Sequence, residues 1–207
     1  MIHFGINFKK SKFGFSLTRE NYIHPSKKSS FNNTEYDDEY IISHTKRALF
    51  NFDLNMRFFS KLDSEEFNRT IENFSRQYPQ FIEIKDLNEY RYQSGYYLLV
   101  LDKYKQIYLG TTYDICRRIR EHWTGSKQFD RLIFGTVFTS RLSIDSFRPL
   151  DTTRIFVYTT NKTFENEDKF ISYFPDKFIL NRTKGGILKL GLSQSISNRK
   201  YRNLIDI

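Results

Sequence analysis

Residues 95–123 read GYYLLVLDKYKQIYLGTTYDICRRIREHW, and the rest of the chain is organised around them. Residues 96–101 are an aromatic and aliphatic run, the composition of a buried strand. A polar break at 102–105 leads into a second run at 106–109 that ends at Gly110, and this spacing predicts an antiparallel hairpin. Asp114 can cap a following helix, on which Ile115, Ile119 and Trp123 recur every four residues as an apolar stripe. A second stripe with the same repeat carries Asp114, Arg118 and His122. A helix needed only for packing has little reason to align these groups beside two glycine-flanked tyrosines.

Outward from this stretch the pattern is coarser. Towards the N-terminus, residues 42–62 carry apolar groups at roughly helical spacing. Residues 64–78 are a clearer helix, capped by Asp63 or Ser64, with Phe67, Ile71 and Phe74 on one face and Pro79 as its stop. Residues 81–84 (FIEI) are strand-like. The first 43 residues scatter Lys9, Lys10, Lys12, Lys27 and Lys28 among Asn, Ser and Phe, ahead of an acidic cluster at 35–39. They are expected to form a partly ordered arm, with phosphate contacts by the lysines as the sharper alternative. His44 is expected to be solvated or capping, since no second His or Cys accompanies it as a ligand.

Towards the C-terminus, residues 127–134 suggest a short helix closed by Gly135, and 136–140 an extended segment. Residues 153–158 (TRIFVY) predict a third strand, and a helix carrying Glu167 is expected to run to about Phe174, before Pro175. From Asp176 onward seven basic residues face two acids, so more than half of the net charge of +9 lies in the last 32 residues. That distribution favours a basic nucleic-acid-facing wall or arm over a merely solvated tail.

Composition sets further bounds. A chain of 207 residues has room for one large domain or for a compact domain with extensions. Its 21 Phe and 14 Tyr can fill a core even though only 39% of residues are hydrophobic. A pI near 9.5 points to a polyanionic partner. The single cysteine, Cys116, excludes an internal disulfide and a cysteine-based zinc site, and is expected to be a small helix residue. No apolar run approaches the roughly 18 residues of a membrane span. The first residues lack the apolar core of a signal peptide, so a cytoplasmic location and no membrane partner are expected. No Ser or Cys stands beside a His in a recognisable triad motif, and no glycine-rich phosphate loop precedes a helix.

The triplets Gly95-Tyr96-Tyr97 and Tyr108-Leu109-Gly110, followed by Arg118 eight residues after Gly110 and by His122, resemble the GIY-YIG nuclease family. The likeness continues at 164–171 (FENEDKFI), where Glu167 fits the family's metal-binding glutamate better than Glu165 does, and at Asn181, which fits its closing asparagine. It spans residues 95–186, less than half of the chain. Tyr96 and Leu109 depart from the family's isoleucine and its isoleucine or valine, at second-position packing sites.

This resemblance implies a phosphodiester hydrolase. Such a site must activate water, neutralise phosphoryl oxygens and stabilise the departing oxygen. Glu167 would hold one divalent ion, Mg²⁺ (or Mn²⁺), because a single carboxylate with waters and a phosphate oxygen suits a hard cation. Arg118 would give a permanent charge and a planar fork for the phosphate. Either Tyr97 or Tyr108 could accept or relay a proton from water; the resemblance favours Tyr97 as general base and Tyr108 as the group orienting the water. His122 can hydrogen-bond a tyrosine hydroxyl or the phosphate, and Asn181 would position the glutamate or nearby backbone. Arg182, Lys184 and Lys189 are candidate nucleic-acid contacts.

The expected architecture is α/β, a small, mostly antiparallel three-stranded sheet flanked by helices. It divides into an N-terminal arm and helical extension (1–90), a nuclease-like domain (91–186) and a basic C-terminal segment (187–207). The expected activity is divalent-metal-dependent endonucleolytic hydrolysis of DNA, of a restriction or mobile-element type. The rival is a module that binds nucleic acid on the same scaffold without cutting it. RNA stays open as a substrate because nothing in the motif reads a 2′-hydroxyl. One active site cuts one strand, so double-strand cleavage would need a homodimer or sequential nicking.

Overall fold

The structure, a computed structural model, describes residues 1–9, 13–29, 32–183, 204 and 205. Its centre is the hairpin expected from the sequence, β4 (Gly95–Leu101) and β5 (Gln106–Thr112), turned by residues 102–105 with Lys105 in the left-handed conformation. Every residue of β4 is buried, because the strand is paired on both sides and covered on both faces. Ahead of it in the chain come a two-stranded ribbon, β1 (Ile2–His3) and β2 (Ile6–Asn7), then α1 (Asp38–Ser60), α2 (Ser64–Gln77) and β3 (Ile82–Ile84). After it come α3 (Ile115–Thr124), β6 (Arg154–Thr159) and α4 (Glu167–Tyr173).

The expected three-stranded sheet is corrected to a four-stranded antiparallel one, ordered β3-β6-β4-β5, with β1 and β2 as a separate two-stranded sheet. The added strand is β3, which pairs outside β6 through Ile82↔Val157, Glu83↔Phe156 and Ile84↔Ile155. Its strand character is visible locally, but its partner lies some seventy residues away and periodicity carries no information about that. Across the hairpin, Tyr97 stands opposite Gly110 and Leu99 opposite Tyr108, so these four share one face, while Leu98–Leu109 and Val100–Ile107 share the other.

Each face supports its own core. On the Tyr97 face, Leu99, Leu101, Ile155 and Val157 pack with Ala48, Phe52 and Phe59 of α1 and with Ile115, Ile119 and Trp123 of α3. On the Tyr96 face, Leu98, Val100, Leu109 and Phe156 meet Phe67, Ile71 and Phe74 of α2 and Phe170 and Ile171 of α4. The helices start where short polar side chains satisfy their first amides. Asp37 accepts from Tyr40 N at 2.6 Å and Asp63 from Glu66 N at 2.6 Å.

Four further expectations differ from the structure. The N-terminal arm, expected to be only partly ordered, is packed where it is described. Ile6, Leu17, Tyr22 and Ile23 are buried, and Leu17 N donates to the buried carboxylate of Asp151 at 2.8 Å. The phenylalanines that looked scattered serve this wrapping: Phe4 O and Phe15 O accept from Leu87 N and Leu150 N. His44 is buried, with its Nε2 bonded to Phe129 O at 2.6 Å, instead of solvated or capping. That contact fixes residues 127–134 locally, and they form only a short 3₁₀ turn at Phe129–Arg131; residues 136–140 are a turn closed by Thr139 N to Thr136 O. Among the described residues no helix is long and apolar enough to cross a membrane.

Candidate active site

Tyr97 reaches the site because of the residue opposite it. A Cβ at position 110 would overlap the Tyr97 hydroxyl and ring carbon, so a glycine there lets the phenol lie flat across β5. Gly95 answers a similar constraint, since a Cβ there would run into the Tyr158 carbonyl of β6. α3 is then started by Asp114, whose side chain accepts from Arg117 N at 2.9 Å. With Ile115, Ile119 and Trp123 turned into the core, the neighbouring stripe of Arg118 and His122 faces the tyrosines.

The Tyr97 hydroxyl is 2.8 Å from His122 Nε2, and His122 Nδ1 is 2.6 Å from Asp145 Oδ1. Tyr97 and His122 are each 1% exposed, so neither exchanges these partners for bulk water. The Tyr108 ring meets the His122 ring edge-on, 5.1 Å between centroids, and lies 6.3 Å from the Tyr97 ring. Arg118 donates to Glu121 Oε2 at 3.2 Å and also interacts with the Tyr97 hydroxyl.

Electrostatics tie these groups together. Burial, with help from Tyr108, pushes the Tyr97 phenol well above its ordinary value, while Arg118 pulls it back. Burial and then the charge of Glu167 push Tyr108 up to about 12. Burial disfavours the charge on Arg118, but Tyr97, Glu121 and Tyr108 together outweigh it and hold the guanidinium firmly protonated. Burial likewise opposes ionisation of Asp145, yet the hydrogen bond from His122, followed by Lys127 and Arg118, keeps it below the usual carboxylate range.

Tyr108, Arg118, His122 and Asp145 line a cavity of about 180 Å³, together with Lys127, Ser143, Asn181 and Arg182 among others; Tyr97 stands behind His122 and is not part of the lining. Lys127 Nζ lies 3.1 Å from Ser143 Oγ and 4.0 Å from Asp145 Oδ2. Burial and then Arg182 lower its pKa, the mark of cations gathered in a confined space.

The predicted residues take distinct places. Tyr97, Tyr108, Arg118 and His122 converge on one side of the sheet. Glu167 does not line the cavity; it opens α4, which contacts β5, and its charge raises both Tyr97 and Tyr108. Both glutamates also raise Tyr96 on the other face, after burial; of the two, Glu167 is the one that also acts on Tyr97 and Tyr108. Asn181 clamps the backbone of β5: its side chain accepts from Leu109 N at 3.0 Å and donates to Leu109 O at 2.7 Å. Arg182 lines the cavity, donates to Arg141 O at 2.8 Å and lies over the Phe134 ring. Lys184 and Lys189 lie outside the described residues. Cys116 is buried on α3, away from the His122 stripe.

Three functional candidates were not visible in the sequence: Lys127, Ser143 and Asp145. The only local signal is the Ser-x-Asp spacing of 143–145, an ordinary turn former in which Asp145 N donates to Ser143 Oγ at 3.4 Å. Nothing in that signal names His122, 23 residues earlier, as a partner.

Among the described residues no three His, Cys, Asp or Glu side chains gather into a metal-binding group. Of the residues that resemble the family's site, Glu167 is the one carboxylate that could hold a divalent ion, with waters and a substrate phosphate as its other ligands. That donor set is unsuited to zinc and suited to Mg²⁺ or Mn²⁺, which keep most of their waters.

Compared with protein-family models, with curated proteins and with solved structures, the chain has no match.

Proposed function

We propose that the protein is a divalent-metal-dependent endonuclease of the GIY-YIG kind that hydrolyses DNA phosphodiester bonds in a cytoplasmic setting, in restriction or mobile-element defence or transfer. One observation carries this reading. Two tyrosine hydroxyls, a guanidinium and an imidazole from β4, β5 and α3 meet beside one small basic cavity, within the field of Glu167. A cavity of about 180 Å³ suits a phosphate and its immediate sugar rather than a base pair. The cations Arg118, Lys127 and Arg182 around it suit an anion.

In this reading Arg118 grips a non-bridging phosphate oxygen and stabilises the charge that builds there. Tyr108 orients the attacking water, and Tyr97 holds the proton that the water gives up. Lys127 and Arg182 add positive potential that draws the nucleic-acid backbone into the cavity. Glu167 is the group that would carry Mg²⁺ or Mn²⁺, and when bound the ion would neutralise phosphoryl charge. The +9 net charge supports a polyanionic substrate, with DNA preferred and RNA tested alongside it.

The test is cleavage of supercoiled plasmid by the full chain with Mg²⁺ or Mn²⁺, and with chelator. Metal-dependent nicking or linearisation is expected. Arg118→Ala and Glu167→Gln should each reduce it by at least about 100-fold. Binding of DNA with no cutting in either metal would instead establish the non-cleaving module.

A further inference from the structure

We propose that Asp145 is a positioning residue that fixes His122 as the acceptor of the Tyr97 proton, giving the proposed nuclease a Tyr97–His122–Asp145 relay that runs from the core to a half-buried carboxylate. The inference rests on the endonuclease reading above but reaches a residue that neither the motif nor its spacing indicates.

The hydrogen-bond inventory dictates the direction of the relay. An ionised carboxylate can only accept, so the 2.6 Å contact between Asp145 Oδ1 and His122 Nδ1 requires a proton on Nδ1. In the neutral imidazole the other nitrogen, Nε2, is then a lone-pair acceptor. Its partner at 2.8 Å is the Tyr97 hydroxyl, which must donate. Arg118, a fixed cation, also acts on this phenol and favours negative charge on it. Tyr97 is thus set to pass its proton to His122 as its oxygen takes up another.

A deeply buried phenol is a poor resting base, because desolvation disfavours its anion. A relay removes that difficulty, since the phenol need never hold a full charge. As the new bond from water oxygen to phosphorus forms, the water O–H bond breaks and its proton passes to Tyr97 Oη. The original Tyr97 proton crosses to His122 Nε2, and Asp145 stabilises the resulting imidazolium. The phosphorus–oxygen bond to the departing sugar breaks, that oxygen takes a proton from solvent, and His122 later returns its own to solvent. Water and diester become monoester and alcohol, with no proton or electron unaccounted for. Asp145 is also tied by Ser143 Oγ at 3.4 Å and faces Lys127 at 4.0 Å, so its second oxygen is held while the first keeps His122 in place.

Two measurements on the full chain decide the matter. Long-range ¹H–¹⁵N NMR of His122 without substrate should show a neutral ring protonated at Nδ1. Asp145→Asn, which keeps the shape but can donate, should mix or reverse that tautomer while the amide spectrum stays folded. In single-turnover cleavage of a duplex oligonucleotide with Mg²⁺, Asp145→Asn should lower the rate by about 100-fold. KM should stay within about twofold, and Asp145→Glu should recover part of the rate. A resting imidazolium, an Nε2-protonated ring, or an unchanged rate in Asp145→Asn overturns the relay. If the wild-type chain cuts nothing, the endonuclease reading falls and takes the relay's use with it, while the tautomer measurement still decides whether Asp145 governs His122.

Discussion

The two faces of the central sheet are built from the same kinds of residue, yet they treat a tyrosine hydroxyl in opposite ways. Tyr96 and Tyr97 are consecutive on β4 and almost completely buried, and the pleat sends them to different sides. On its side Tyr96 donates to Lys162 O at 2.8 Å and accepts from Asn166 N at 3.1 Å. Its ring stacks near Tyr158 and meets the edge of Phe170. On the other side the Tyr97 hydroxyl meets two groups that carry or take up protons, His122 and Arg118, with the Tyr108 hydroxyl beside them. A hydroxyl satisfied by backbone has one stable arrangement and serves the fold. A hydroxyl satisfied by an imidazole and a guanidinium can move a proton.

Substitutions on the two faces should therefore separate activity from stability. The largest effect is expected for Tyr97→Phe, which keeps the ring over Gly110 but removes the proton path. Plasmid cleavage should fall by about 1,000-fold, about 4 kcal/mol on the barrier. A calorimetric melt within a few degrees of wild type would show that the fold survived. Next is Phe74→Ala on the opposite face, where the ring is fully buried against Tyr78, Phe81, Tyr173 and Phe174. It should cost about 3 kcal/mol in urea unfolding and leave KM unchanged in the protein that remains folded. The smallest is Tyr96→Phe, which leaves Asn166 N and Lys162 O without their hydroxyl partner. It should cost about 1 kcal/mol of stability and change cleavage by no more than a few-fold. A Tyr96→Phe variant as inactive as Tyr97→Phe would break the contrast between the faces.

What could be read from the sequence was what short-range patterns encode. The hairpin, the apolar stripe of α3 and the caps Asp63 and Asp114 all depend on residues within about one or two turns of each other, and they stand where periodicity and capping place them. The candidate site was legible to the extent that it sits on those elements, as Tyr97, Tyr108, Arg118 and His122 do. What was hidden depends on partners far along the chain. β3 finds β6, His44 finds Phe129, Leu17 finds Asp151, and His122 finds Asp145 through segments without regular structure. Asn181 is an intermediate case. It was picked out as part of the site, but its job of holding Leu109 follows only from the chain returning alongside β5.

That return has a consequence for how the molecule behaves in a crowd. Residues 178–181 run parallel to the outer side of β5, with Ile107 N donating to Phe178 O and Leu180 N to Ile107 O, both at 2.8 Å. The Asn181 amide then occupies the next pair of outward groups. A strand as apolar as β5, left bare along this side, would be a template on which other chains could stack. The opposite border of the sheet is the three-residue β3, where Glu83 and Lys85 pair at 2.7 Å. Both borders are thus blunted against amyloid-like growth, one by a polar side chain imitating backbone and the other by brevity and charge.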